Sequence, residues 1–243
     1  MVFWGWTSDP SGEQSYLINF LSSVGGTDWL NTVAQYGGGN PINMYGGSWS
    51  DPTPVPTHPT DSDLGSEALA AVAHFGISSS VNVQIVVATP TGHSALGFGT
   101  TFCSEHSEFL QGSAVVTFTD LPYITDAGGA CGGLDGVSIV AGHEIAETIT
   151  DPELSAWFDA GQNEIGDKCA WTNLSTITTS TGTFVVQPLW SNIANGCVLA
   201  TPLPQTDGPM PLWAIVAFAG ALIAIAYRTQ LRQRRGQVIV SHY

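Results

Sequence analysis

Apolar and polar positions fall into short runs with two different periods. Val2–Trp6 is an apolar, aromatic run that predicts a buried strand. Ser11, with Gln14 three residues later, predicts a capped start for a helix over SGEQSYLINFLSSV. Thr27–Tyr36 predicts a second short helix with Trp29, Leu30 and Val33 on one side, ended by Gly37-Gly38-Gly39. A strand near Ile42–Trp49 leads to the Pro-rich loop DPTPVPTHPT. Ser62 then caps a helix through Leu64–Phe75, stopped by Gly76. Val81–Ala88 and Ala114–Phe118 are apolar, β-branched runs and predict buried strands. The Ser/Thr-rich stretch 172–186, with Val185, Val186 and Trp190, predicts a closing hairpin. Strands alternating with helices predict an α/β domain.

The run from Val137 to Pro152 has a different character. Val137, Ala141, Ile145, Ala146 and Ile149 form an apolar arc, while His143, Glu144, Glu147 and Asp151 line a polar stripe. Residues four apart on a helix project side by side, so His143 and Glu147 are neighbours. Three acids and no base on a buried stripe repel one another unless a cation or protons intervene. The plainer alternative is an amphipathic helix that shows its acids to water.

The C-terminal pattern points to a membrane. Leu212–Tyr227 is sixteen residues without a charge, roughly 24 Å as a helix. RTQLRQRR follows, which by the positive-inside rule places the C-terminus in the cytoplasm. The expected organisation is an extracellular body over 1–200, a Pro-rich linker over 201–211, a transmembrane helix over 212–227 and a basic tail over 228–243. LPQTD, an apolar run and arginines are similar to the sorting signals read by sortase-type processing enzymes. Asp207 stands where those signals have Gly. MVFWGW has no basic leader and no cleavage site, so an exported body implies a precursor that begins upstream.

Charge narrows the function. The chain has 243 residues, 5 Lys+Arg and 20 Asp+Glu, for a net charge of −15. Lys168 is the only base before Arg228. Such a body repels phosphate, which excludes nucleic acid as a partner. Cys103, Cys131, Cys169 and Cys197 form no CxxC and suit two bridges in an oxidising compartment. Three pairings are open; order along the chain favours 103–131 and 169–197.

The chemistry concentrates in GHEIAETITDP. HExxE is one letter from HExxH, in which two histidines hold zinc and the glutamate between them is a general base. Here His143 and Glu147 become metal ligands and Glu144 the catalytic base. A third ligand at Glu153, in metzincin spacing, fails because Thr150 stands where a turn glycine is needed. Asn163-Glu164-Ile165-Gly166-Asp167 looks like a shortened thermolysin-type arrangement, with Glu164 as third ligand. Asp167 and Asp151 then support the ligands from behind. Zn²⁺ is the expected cofactor, another divalent cation the alternative.

GHEIAETITDP, the Trp157-Phe158-Asp159 patch, EIGDKCAW, VQPLWSN and a late cysteine are together similar to bacterial relatives of the plant EXORDIUM/phosphate-induced family. FWGW, the FL…DWLNTVAQY run and FCSEHS extend the resemblance over about residues 2–199. It implies a secreted domain with an HELAE-type helix, an acidic EIGD element and disulfides. The resulting expectation is a zincin-like α/β domain with a mixed sheet packed on helices, plus the transmembrane helix. His106, in FCSEHS, and His93, in TPTGHSALGFG, are candidates for the substrate side and equally fit structural places. Three functions remain: a surface-anchored or secreted zinc hydrolase, most simply a peptidase acting on a peptide or cell-wall substrate; a non-catalytic EXORDIUM-like module with a structural metal; and a glycan-binding wall protein that stacks tryptophans on sugars.

Overall fold

Side-chain alternation along the strands decides which face of the sheet meets which helix. In the computed structural model, which describes residues 1–37, 42–78, 81–112 and 114–201, β1 (Val2–Trp4) turns Phe3 to one face and Val2 and Trp4 to the other. β3 (Gln84–Ala88) repeats the pattern, with Val86 and Ala88 on the Phe3 side and Ile85 and Val87 opposite. Both faces are apolar, so both must be covered.

α2 (Asp61–Phe75) covers one face with Leu64, Ala68, Ala71 and Val72. α1 (Glu13–Ser23) and α3 (Gly133–Thr150) cover the other, joined by Trp29, Leu30 and Val33 of the 3-10 segment Leu30–Tyr36 and its flank. β2 (Trp49–Asp51), β4 (Glu105–Gln111) and β5 (Ala114–Leu121) complete a five-stranded sheet in the order β2-β1-β3-β5-β4. β1, β2, β3 and β5 run parallel and β4 runs antiparallel to β5; β2 and β4 are the two sheet edges. The register sets His106 opposite Thr119 on the α1/α3 face. Two small hairpins follow: β6 (Ser175–Thr178) with β7 (Thr183–Val186), and β8 (Leu189–Ser191) with β9 (Gly196–Val198).

Local signals explain most boundaries. Thr60 caps α2 in a reciprocal box with Asp63, and Gly76 ends it in the left-handed conformation; the cap is Thr60 rather than Ser62. α1 is held by Asp9, whose carboxylate accepts from the backbone N–H of Glu13 and Gln14, while Ser11 donates its own N–H to the Tyr123 hydroxyl. Cys103–Cys131 and Cys169–Cys197 are bridged, in the pairing that chain order favours. The first bridge ties the start of β4 to the segment just before α3.

The expected fold class needs correction. The domain is a mixed α/β fold, but among the described residues no helix is long and apolar enough to cross a membrane. The segment 212–227, for which the transmembrane helix was expected, lies outside the described residues, as do the LPQTD motif and the basic tail. Met1–Thr201 forms one unit of its own.

Glu67 gives this framework a pH dependence. It is 6% exposed on α2 and its Oε1 has no hydrogen-bond partner. Burial, then the neighbouring charge of Asp51, raises its pKa from 4.5 to about 7. The folded state thus holds a proton that the unfolded chain releases, and stability falls as pH rises from 4.5 through 7. Glu67→Gln should flatten that slope in urea-unfolding midpoints measured across the interval. A slope identical to the wild type would show that Glu67 titrates as an ordinary surface acid.

Candidate functional site

Three segments converge on the polar stripe of α3: the helix itself, the edge strand β4, and the chain that returns through residues 164–167. Glu144 and Glu147 are each 3% exposed and His106 is 8% exposed. His143 is partly open to solvent.

Glu147 is the hinge of the arrangement. Its Oε1 accepts the backbone N–H groups of Gly166 and Asp167, each at 3.0 Å. That approach depends on glycine: a Cβ on Gly166 would stand 2.8 Å from this oxygen and 2.9 Å from the His143 ring. With Oε1 engaged, Oε2 is left facing two imidazoles, 3.0 Å from His143 Nε2 and 3.7 Å from His106 Nδ1. Asp167 Oδ1 reaches the same His143 Nε2 at 3.6 Å.

Behind His143 stands Gln187. Its Nε2 donates to the Gly166 carbonyl at 2.9 Å and lies 3.1 Å from His143 Nδ1. A carbonyl only accepts, so this nitrogen is a donor and Nδ1 receives it. The ring proton then sits on Nε2, toward Glu147.

On the other side, Glu144 Oε1 accepts the Ser104 hydroxyl at 2.6 Å, and Oε2 lies 3.3 Å from His106 Nδ1. His106 Nε2 faces the Asp151 carbonyl at 3.2 Å and Glu164 Oε1 at 3.7 Å. Glu164 Oε1 is buried without a hydrogen-bond partner.

The ionisation pattern follows from crowding. Burial, with the Glu147 charge second, pushes the Glu164 pKa up to about 8. Burial works against a charged His106, but the Glu144 hydrogen bond and the charges of Glu144, Glu164 and Glu147 outweigh it and raise the ring to about 9. The Glu147 charge raises His143 against its own burial, while the Gln187 amide donating to Nδ1 opposes a second ring proton there. Glu144, although burial raises it, is held below the usual carboxylate range by the His106 hydrogen bond and the His143 charge. Among the described residues Lys168 is the one lysine or arginine, and it pairs with Asp159 at 2.5 Å. Only the two histidines or an added cation can balance the buried acids.

The structure brings together His143, Glu144, Glu147 and Asp167, and adds His106. Glu164 sits beside His106 rather than beside His143, so Asp167 occupies the place expected for the third ligand. The Asp151 carboxylate turns away to accept the N–H groups of Ser155 and Ala156. His93 hydrogen-bonds the Pro56 carbonyl in the Pro-rich loop instead. Ser104 and Gln187 lie within FCSEHS and VQPLWSN but were not singled out as site residues: one is a polar residue beside a cysteine, the other a single amide between two short strands.

Two groups offer ligand atoms mutually within 4.8 Å: His143, Glu147 and Asp167, and His106, Glu144 and Glu147. Imidazole nitrogen with carboxylate oxygen is the donor set of zinc and of other divalent cations. The residues fit such an ion. No protein-family model, curated protein or solved structure matches the chain, so this geometry carries the functional reading.

Gly166→Ala should force the returning loop off Glu147. The expected result is a stability loss of about 1–3 kcal/mol in urea unfolding, with weaker zinc binding by titration. Wild-type stability and affinity would show that the two N–H contacts do not organise the site.

Proposed function

We propose that the chain is an extracellular, zinc-dependent hydrolase acting on peptide bonds. The observation that carries this reading is the meeting of His143 Nε2, Glu147 Oε2 and Asp167 Oδ1 on the partly open side of α3, directly beside the buried, ionised Glu144. The two disulfides fit an extracellular protein. The EXORDIUM-like resemblance belongs to this proposal as well.

His143, Glu147 and Asp167 hold the ion. A bound zinc polarises a carbonyl and lowers the pKa of water. Two carboxylates among three ligands donate more charge than two histidines would, which makes that water less acidic and the enzyme slower. Glu144 takes a proton from water and returns it to the departing amine, with Ser104 and His106 fixing its orientation. β4 supports a peptide substrate: it is a sheet edge and is joined to the site by His106, so an extended chain can pair with its backbone.

One observation favours a second reading. Both Glu144 oxygens already have partners and the side chain is almost wholly buried, which suits a structural cation in a non-catalytic module. The glycan-binding alternative has less support, because Trp4 and Trp29 lie in the core.

Glu144→Gln separates the two. In the hydrolase it keeps the ion held by His143 and loses about 100-fold or more in cleavage of a fluorogenic peptide library. His143→Ala should lower both zinc content and melting temperature, because a metal that binds only the folded state adds its binding energy to stability. Undiminished cleavage by Glu144→Gln would refute Glu144 as the base. Zinc without cleavage in the wild type would establish the structural reading.

A further inference from the structure

We propose that His106, Glu144 and Glu147 form a second divalent-cation position, which shares Glu147 with the first. All three side chains are more than nine-tenths buried. Each has its other polar atom already committed. His106 Nε2 faces the Asp151 carbonyl at 3.2 Å, and Glu144 Oε1 accepts the Ser104 hydroxyl at 2.6 Å. Glu147 Oε1 accepts two backbone N–H groups at 3.0 Å. What remains is Nδ1 and two Oε2 atoms turned toward one another, with Nδ1 at 3.3 Å and 3.7 Å from the two oxygens.

This is how ligands are held around an ion. A metal-bound imidazole donates its far N–H to a carbonyl, and ligating carboxylates have their outer oxygens hydrogen-bonded. The Asp151 carbonyl can only accept, so it holds one ring proton on Nε2, and Nδ1, which meets the carboxylates, is the nitrogen that exchanges its proton for a cation. A proton on Nδ1 would serve the Glu144 contact, whereas a cation serves all three atoms.

Charge counts in the same direction. Glu144, Glu147 and Asp167 are three carboxylates, more than one divalent cation balances. A shared carboxylate sets two ions about 3.5–4 Å apart, the usual separation in two-metal hydrolytic sites. One imidazole with two carboxylates suits Zn²⁺ or Mn²⁺. This goes beyond the one-ion hydrolase: Glu144 becomes a ligand through Oε2, and its loss removes an ion as well as a base.

The test is a metal count on the full chain, stripped with chelator, loaded with Zn²⁺ or Mn²⁺ and freed of excess. Two ions per chain are expected in the wild type, one in His106→Ala and one in His143→Ala. A single wild-type ion, kept by His106→Ala and lost by His143→Ala, overturns the second position and leaves the hydrolase reading standing. A single ion lost only by His106→Ala supports the buried position and overturns the His143 one. No bound ion refutes both, and His106 is then a buried imidazolium. Should His106→Ala fail to fold, zinc-edge absorption on the loaded wild type decides: metal–metal scattering near 3.5–4 Å supports the pair, and its absence overturns it.

Discussion

Acidic side chains are gathered under a sheet edge where the described residues supply no unpaired lysine or arginine to meet them, and the rest of the site answers to that constraint. Like charges in a buried place repel strongly unless something positive lies among them. Lys168 is spent on Asp159. The structure answers with two imidazoles and with backbone N–H groups aimed at carboxylate oxygens: Gly166 and Asp167 on Glu147, Ser155 and Ala156 on Asp151. These contacts fix one oxygen of each acid. They leave the inner oxygens of Glu144 and Glu147 turned toward the imidazoles, where a cation has most to gain.

The covalent frame serves the same end. Cys103–Cys131 anchors the start of β4 beside the beginning of α3, and so sets Ser104 and His106 against Glu144. Cys169–Cys197 anchors the segment just after Asp167 to β9. An antiparallel edge strand is otherwise free to fray, and a returning loop free to swing. Each bridge therefore closes on a segment that carries a site residue.

Much of this was legible in the residues. The unbroken apolar runs in Val2–Trp4 and Ile85–Ala88 mark strands buried on both faces, because each face meets a helix. The stripe on α3 was legible for the same reason: apolar neighbours on every other side leave His143, Glu144 and Glu147 conspicuous. β4 was not legible. EHSEFLQ places His106 over a polar site instead of an apolar core, so neither period appears in it. Spacing alone did not decide between Glu164 and Asp167. Glu164 and Asp167 both lie within reach along the chain, and the tight approach at Gly166 with the short 3-10 turn after it decides which one faces His143. The Asp9 cap was hidden because it precedes the helix by several residues and acts across a turn.

Gln187 ties the His143 ring to the loop. Its amide nitrogen donates to both the Gly166 carbonyl and His143 Nδ1, which holds the ring proton on Nε2. An ion on Nε2 moves that proton to Nδ1, where it needs an acceptor. Gln187 can provide one only by turning its amide so that the oxygen faces the ring, and the Gly166 carbonyl then loses its donor. Gly166 is the residue whose N–H positions Glu147. His143 and the placing of Glu147 thus share the Gly166–Asp167 peptide unit, whose carbonyl meets Gln187 and whose N–H meets Glu147, and a change at one is felt at the other through contacts of about 3 Å. His106 already donates outward to Asp151, so an ion proposed there would displace only the Nδ1 proton that meets Glu144. Of the two positions, the one built around His106 can accept a cation with less rearrangement of its surroundings.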